Sequence, residues 1–133
     1  MIPPECVVHM PLRACTFRFA GRVDQVGRAR GFVAEFLEEH PGADDAVLLV
    51  SELAANACAH SASGRPGGAF EVRVVVGVEG WVRVEVEDQG SSWGGRFDDI
   101  GSPHGLYLLR VLSAQCGTRP GADGWVTWFV LGR

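Results

Sequence analysis

Polar residues interrupt an otherwise apolar segment in SELAANACAH, residues 51–60. Glu52, Asn56 and His60 are four residues apart, so on a helix they fan over roughly 80° of one face. Burying an unpaired carboxylate or amide is costly, so this stripe predicts a cavity or a ligand contact. The carbonyl oxygen of an asparagine suits a hard cation such as Mg²⁺, and a glutamate one turn away can orient or deprotonate a nucleophile.

The same spacing has simpler explanations. Glu52 and Asn56 can reach solvent at the edge of the helix without binding anything. His60 is better explained as a helix-end residue, because a histidine there interacts favourably with the negative end of the helix dipole. The spacing therefore leaves the roles of Glu52 and Asn56 open and favours the dipole role for His60.

A second candidate is the acid that ends the alternating segment WVRVEVEDQG, residues 81–90. Three alternating valines share one face of a strand, and the period of two places Asp88 on that apolar face. A buried carboxylate there would suit the exocyclic amine of adenine and would repel the carbonyl oxygen of guanine. Gly90 would let the backbone approach a flat ring closely. An ordinary Asp-x-Gly turn, or a break that turns Asp88 outward, explains the same residues.

A long polar connection at 89–104, QGSSWGGRFDDIGSPH, follows this strand. Backbone amides of a glycine-rich loop and a helix N-terminus can together bind an anion such as a phosphate, and Arg96 and His104 could add positive charge. The spacing matches neither a Walker A loop nor a dinucleotide-binding fingerprint, and a surface loop with incidental glycines is the alternative. The glycines concerned are Gly90, Gly94, Gly95, Gly101 and Gly105.

Hydrophobic periodicity and turn residues predict the elements that position these groups. In chain order we expect a strand at 14–21, a helix at 23–40 ended by His40-Pro41-Gly42, a second helix to about residue 60 with Asp44 and Asp45 in its first turn, a flexible loop at 61–68, two strands within 70–88 around a turn at 78–80, a helix at 105–117 ending at Gly117, and a strand at 124–131. This order predicts an α+β fold with helices covering one face of a sheet. Residues 1–13 read as an irregular lead-in and 14–133 as a single domain.

Composition narrows the class of protein. The chain has 133 residues and a net charge of −4, which suits one globular domain and argues against direct nucleic-acid binding. Its four cysteines form no CxxC pair, so a structural zinc site is not expected. No signal peptide or membrane-spanning segment is indicated, and we expect a cytoplasmic protein.

Three features in this order resemble one family. The Glu-x-x-x-Asn helix, the strand that ends in Asp-x-Gly, and the glycine-rich segment before a Gly-Leu helix resemble the N, G1 and G2 boxes of the GHKL (histidine-kinase-like) ATPases. The nearest branch is the stand-alone anti-sigma-factor serine/threonine kinases of the RsbW and SpoIIAB type. The segments that carry the similarity are LLVSELAANACAH, VRVEVEDQG and HGLYLLRVLSAQCG.

The resemblance implies a fold, a cofactor and roles for the candidate residues. The fold would be a two-layer α/β sandwich of the Bergerat type, with a mixed, mostly antiparallel sheet, and it would bind ATP and Mg²⁺. Asn56 would coordinate the Mg²⁺, and Glu52 would be the general base or would orient the acceptor hydroxyl. Asp88 would bind the adenine amine with help from Gly90. The remaining cofactor-binding residues, in the lid over the phosphates, would be Gly101, His104 and Gly105.

The resemblance also implies partners, and the sequence departs from the family at two positions. A member of this branch would phosphorylate a small antagonist protein, sequester a sigma factor and form a homodimer. Ser92 and Pro103 stand where the family often has glycine, and proline removes one N–H from the lid. These departures favour an alternative, a non-catalytic partner-binding switch with weak or no ATP binding. The catalytic domain of a histidine kinase is a third alternative, but residues 1–13 leave no room for a long upstream phosphoacceptor helix.

Overall fold

The computed structural model describes residues 11–90, 103–122 and 124–132. Single 3-10 turns lie at Val23–Gln25 and Ala62–Gly64. The strands and longer helices are, in chain order, β1 (Pro11–Ala20), α1 (Val26–Leu37), α2 (Ala43–His60), β2 (Ala69–Gly77), β3 (Val82–Glu87), α3 (Pro103–Leu112), β4 (Gln115–Pro120) and β5 (Trp125–Leu131).

The five strands form one open sheet in the order β1-β2-β3-β5-β4. Every described pairing is antiparallel. Helix α1 packs on α2, and α2 packs on β2, β3 and α3, so helices and sheet form two layers. The α+β sandwich expected from the sequence is confirmed.

The core lies between the helices and one face of the sheet. The alternation of β3 turns Val82, Val84 and Val86 toward the helices, and these valines are 0–3% exposed. In the register with β5, Val84 lies opposite Phe129, which is fully buried. Each fully buried aliphatic or aromatic side chain of this kind contributes roughly 1.5–3 kcal/mol. The period of two that fixes this face also places the residue after β3 on the core side.

Helix α2 is the longest helix described, with 18 residues. Asp44 and Asp45 occupy its first turn, as the sequence predicts, where carboxylates interact favourably with the positive end of the dipole. Its buried face carries Ala46, Leu49, Val50, Leu53, Ala54 and Ala57. No helix in the described ranges is both long enough and apolar enough to cross a membrane.

His40 joins the connection between α1 and α2 to the turn between β2 and β3 through hydrogen bonds. Helix α1 ends at Leu37, three residues earlier than predicted, because Glu38 takes a positive φ of 53°. The His40 Nδ1 accepts a hydrogen bond from the Gly42 N–H at 2.9 Å. Its Nε2 lies 2.7 Å from the Gly80 carbonyl oxygen. Because Nδ1 is an acceptor, the proton lies on Nε2 and the ring bridges the helix connection to the β2–β3 turn.

The predicted helix at 105–117 is wrong at its C-terminal end. Helix α3 spans Pro103–Leu112, and 115–120 form the edge strand β4 instead. Gly117 is therefore a strand residue opposite Trp128, and a Cβ there would lie 2.8 Å from the Trp128 ring. The segment QCGTRP lacks the alternation that marks a strand, so its strand conformation depends on tertiary contacts such as the pairing with β5. The proline in the first helical position fits the earlier start of α3.

Candidate functional site

The polar stripe of α2 lies at the margin between the buried and exposed faces of the helix. Glu52 and Asn56 are both partly exposed, one turn apart, while His60 is exposed at the end of the helix. The Asn56 Nδ2 atom is nevertheless buried and has no hydrogen-bond partner among the described residues. An amide left without a partner costs about 1–3 kcal/mol. The Asn56 Nδ2 can therefore donate a hydrogen bond to an acceptor atom of a ligand.

Asp88 directly follows β3 and is buried, with 6% of its surface exposed. Its Oδ1 accepts hydrogen bonds from the N–H of Gly90 at 2.7 Å and from that of Trp125 at 3.4 Å. Burial raises the pKa of this carboxyl and the nearby Glu87 charge adds to the rise, while the two N–H donors act against it. No described basic side chain forms an ion pair with Asp88. Asp88 lies on the apolar side of the strand, as the alternation predicts.

The turn after Asp88 packs closely against Gly124, while the space beside Gly90 is open. Gly90 has a φ of +90°, a conformation that favours glycine. Gly124, just before β5, touches the same turn, since a Cβ there would overlap the Gly90 nitrogen and lie 2.5 Å from the Asp88 carbonyl oxygen. The Asp88 N–H donates to the Trp125 carbonyl oxygen at 2.9 Å. These contacts fix the backbone that presents the Asp88 carboxylate.

The segment after α2 ties the end of that helix to this turn. The Ala62 N–H donates to the Gly90 carbonyl oxygen at 2.7 Å, and the Gln89 N–H donates to the Ser63 Oγ at 3.0 Å. Ser63 is fully buried. The composition of 61–68 predicts a flexible loop, but these hydrogen bonds hold Ala62 and Ser63 against the turn that follows Asp88. The last turns of α2 and the Asp88 carboxylate therefore lie at the same end of the sheet.

Several predicted site residues can be placed only in part. Gly101, with the rest of 91–102, lies outside the described residues. His104 and Gly105 lie in the first turn of α3, and their side-chain positions also fall outside what is described. The packing of α3 on α2 brings this first turn into the same helical layer as the polar stripe.

Sequence reasoning missed the residues that hold the site together. Ser63, Gln89 and Trp125 act through backbone groups, one hydroxyl and one side-chain amide oxygen, and their types carry no catalytic signal. The Gln89 Oε1 accepts a hydrogen bond from the Ala69 N–H at 2.9 Å, which adds the start of β2 to the same network. The one available signal is a serine in a short loop after a helix, a common local hydrogen-bonding residue.

No cluster of three or more histidine, cysteine, aspartate or glutamate side chains with a metal-binding arrangement occurs in the part of the chain that the structure describes. A site for Mg²⁺ of the kind held by one or two protein oxygens together with phosphates needs no such cluster. Asn56 fits such a site. Its side-chain oxygen is a ligand type that Mg²⁺ accepts, and its buried Nδ2 could donate a hydrogen bond to a phosphate oxygen.

The histidine kinase-like ATPase domain family matches residues 19–130, nearly the whole chain. Twelve solved chains match the structure. One of them contains the RsbU and RsbW domains of Rv1364c from Mycobacterium tuberculosis, at a TM-score of 0.68 and 21% identity over 92% of this chain. This chain spans 33% of that one. Among curated proteins, none matches.

The solved structure shares the fold, and the family match covers β2, β3, most of the helical layer and the Asp88 turn. The match extends over far more than half of the chain. The protein therefore belongs to the family of histidine kinase-like ATPase domains, and ATP binding is the property that this membership implies.

Proposed function

We propose that this protein is an ATP-binding regulator of the anti-sigma-factor serine/threonine kinase type. It would transfer the γ-phosphoryl group of ATP to a serine of a small antagonist protein and would also sequester a sigma factor. We further propose that it acts in the cytoplasm as a homodimer, without direct contact with nucleic acid or membrane, and that 14–133 form its single ATP-binding domain.

The buried Asp88 carboxylate is the observation that carries this proposal. A carboxylate with little exposure and no described cationic partner is costly for a fold to retain, and such perturbed groups concentrate at functional sites. It accepts N–H groups on one oxygen and would accept the exocyclic amine of adenine as well. Gly90 beside it leaves room for a flat ring.

Asn56 and Glu52 supply the remaining parts of the proposed site. The Asn56 side chain would help to hold Mg²⁺ and the phosphates, which would give its amide the missing partner. Bound Mg²⁺ would neutralise charge on the transferring phosphoryl group. Glu52, one helical turn away, would orient or deprotonate the acceptor hydroxyl. The lid residues Gly101, His104 and Gly105 would complete the phosphate side.

The RsbW domain in the similar solved structure supports the choice of this branch. The same solved chain also contains an RsbU domain. The partners proposed for the present chain rest on the motif resemblance and on that neighbour together.

An alternative is a partner-binding switch on the same fold, with weak or no ATP binding and no catalysis. Two positions favour it. Ser92 and Pro103 replace glycines that the family often has around the lid. A proline has no N–H to offer a phosphate, although its place at the start of α3 is compatible with the helix.

Calorimetric titration of ATP with Mg²⁺ tests the nucleotide site. Wild type should bind ATP in preference to GTP, Asp88→Asn should lose the binding, and Asn56→Ala should lose its Mg²⁺ dependence. Asp44→Asn removes the same charge from an exposed position of α2 and should bind like wild type. If the folded wild type fails to bind at about millimolar ATP, the kinase proposal is wrong and the switch is supported.

Phosphoryl transfer from ATP is tested separately, with a purified small antagonist protein from the same organism as the acceptor. Mass spectrometry should detect one phosphoserine after incubation with ATP and Mg²⁺. Glu52→Gln should abolish the modification while the calorimetric ATP affinity stays the same. Tight ATP binding with no phosphorylation of any antagonist would exclude the kinase and leave a nucleotide-dependent switch.

A further inference from the structure

A cleft of ≈ 570 Å³ lies at the end of β1 and the start of β2. Three arginines line it, Arg18, Arg22 and Arg65, and no acidic residue does. A second cleft of ≈ 370 Å³ at the opposite end of the sheet is lined by Glu38 and Glu39 as well as Arg13. The charged residues that line the first cleft are thus all basic, unlike those of the second, in a chain whose net charge is −4.

Arg18 pairs with Glu71 at 3.7 Å, and the two arginines open to a ligand are Arg22 and Arg65. Arg65 is exposed and makes no side-chain ion pair within the described residues. Arg22 pairs with Asp24 at 3.1 Å, and both side chains are more than 60% exposed. Exposed ion pairs of this type contribute about 0–1 kcal/mol, so replacement of Asp24 by a carboxylate of the ligand costs little free energy.

The wall of the cleft is preformed by closely packed backbone. The Gly21 N–H donates to the Gly68 carbonyl oxygen at 2.9 Å, and the Gly68 N–H donates to the Arg65 carbonyl oxygen at 2.7 Å. A Cβ on Gly21 or on Gly68 would overlap the Ser63 carbonyl oxygen. The positions from which Arg22 and Arg65 project are thus fixed before any ligand arrives, which lowers the entropic cost of binding.

We propose that this arginine cleft binds an acidic peptide segment of a partner protein. A guanidinium group takes a carboxylate through two parallel hydrogen bonds, and Arg22 and Arg65 together suit a segment with two or more carboxylates. A nucleic acid fits less well, because the chain is acidic overall and a base needs an aromatic surface to stack on. Phe19, the aromatic residue that lines the cleft, is 4% exposed and already stacks on Phe70 at 5.4 Å.

Ser63 separates this cleft from the proposed nucleotide site. Its carbonyl oxygen packs against Gly21 and Gly68 on the cleft side, and its hydroxyl accepts the Gln89 N–H on the other side. An acidic segment in the cleft would therefore lie beside the Asp88 turn. The proposal itself does not require ATP, so Asp88→Asn should bind the segment as wild type does.

Fluorescence anisotropy with a labelled peptide of alternating glutamate and glycine tests the proposal, with the glutamine counterpart as the uncharged probe. Wild type should bind the glutamate peptide about tenfold or more tightly than the glutamine peptide. Arg22→Gln combined with Arg65→Gln should weaken binding about tenfold. The lysine pair, Arg22→Lys with Arg65→Lys, should retain intermediate affinity because it keeps charge but loses the paired donors.

The matched control is Arg28→Gln with Arg110→Gln, which removes the same charge from exposed positions outside the cleft. It should bind like wild type. If the control weakens binding of the glutamate peptide equally, the effect is one of net charge and the proposal is overturned. Equal affinity of wild type for the two peptides, or no binding of either, would also overturn it. A labelled oligothymidine that binds more tightly than the peptide and depends on Arg22 and Arg65 would overturn it in favour of a nucleic-acid site.

Discussion

The Ser63 Oγ accepts a hydrogen bond from the backbone N–H of Gln89 at 3.0 Å, and Ser63 is fully buried. This bond joins the segment that leaves α2 to the turn that presents Asp88. The position of α2 relative to the Asp88 carboxylate therefore depends on Ser63, a residue to which we assign no catalytic role.

We expect Ser63→Ala to lower the free energy of unfolding by about 1–3 kcal/mol, because the Gln89 N–H would lose its partner in a buried place. If the proposed site is correct, ATP affinity should fall too. Urea unfolding followed by circular dichroism measures the first effect. Ser51→Ala is the control, since its hydroxyl accepts a hydrogen bond from Arg30 in an exposed contact and the loss of that bond should matter little. Equal stability of the two variants would mean that the bridge does not stabilise the fold.

Gly124→Ala should destabilise the protein by about 1–3 kcal/mol, because the added Cβ would meet the backbone of the Asp88–Gly90 turn. Gly31→Ala is the matched control. A Cβ at Gly31 meets nothing within 4 Å, and alanine in a helix is favoured over glycine by about 0.5–1 kcal/mol. Thermal unfolding should thus move in opposite directions for the two substitutions, and a loss of stability in both would contradict the packing described here.

Asn56→Ala should separate stability from nucleotide binding. Without nucleotide, removal of the buried Nδ2, which has no partner among the described residues, should leave the free energy of unfolding unchanged or raise it by about 1 kcal/mol. With ATP and Mg²⁺, wild type should gain more thermal stability than the variant does. Thermal unfolding with and without the nucleotide measures both. A large loss of stability in the nucleotide-free variant would indicate that Asn56 is a structural residue.

The raised pKa of Asp88 makes stability depend on pH. A carboxyl whose pKa is higher in the folded state favours folding most when it is protonated, below its unfolded-state value of 3.8. That contribution is lost as the pH rises through the folded-state pKa. Asp88→Asn lacks this titration, so its free energy of unfolding relative to wild type should increase from acid to neutral pH. Urea unfolding of both proteins at several pH values checks this, and a difference that does not vary with pH would contradict it.

His40→Ala should cost about 1–2 kcal/mol of stability, because two hydrogen bonds that join the α1–α2 connection to the β2–β3 turn would be lost. This bridge lies at the end of the sheet opposite the Asp88 turn, so ATP affinity should not change. His60→Ala is the control, since His60 is exposed at the end of α2 and should affect stability only slightly. A drop in ATP affinity for His40→Ala would show that the two ends of the sheet are coupled.

Where the sequence has a strong period, it predicts the structure well. The alternation of β3 and the helical spacing of α2 place the core valines and leucines correctly, and the same alternation places Asp88 on the buried side. The sequence does not predict strand β4 and places Gly117 at a helix end, because an edge strand with a glycine, a proline and polar residues has no hydrophobic period of its own.

The local pattern of the chain determines which side chains are available for chemistry: a carboxylate at the end of a buried strand, and an acid and an amide one helical turn apart. Only the tertiary structure decides whether those groups are satisfied. The Asn56 Nδ2, which has no partner among the described residues, the backbone donors on Asp88 and the Ser63–Gln89 hydrogen bond all depend on atoms brought together across the fold. Such contacts are set by the packing of helices on the sheet, and residue spacing along the chain does not encode them directly.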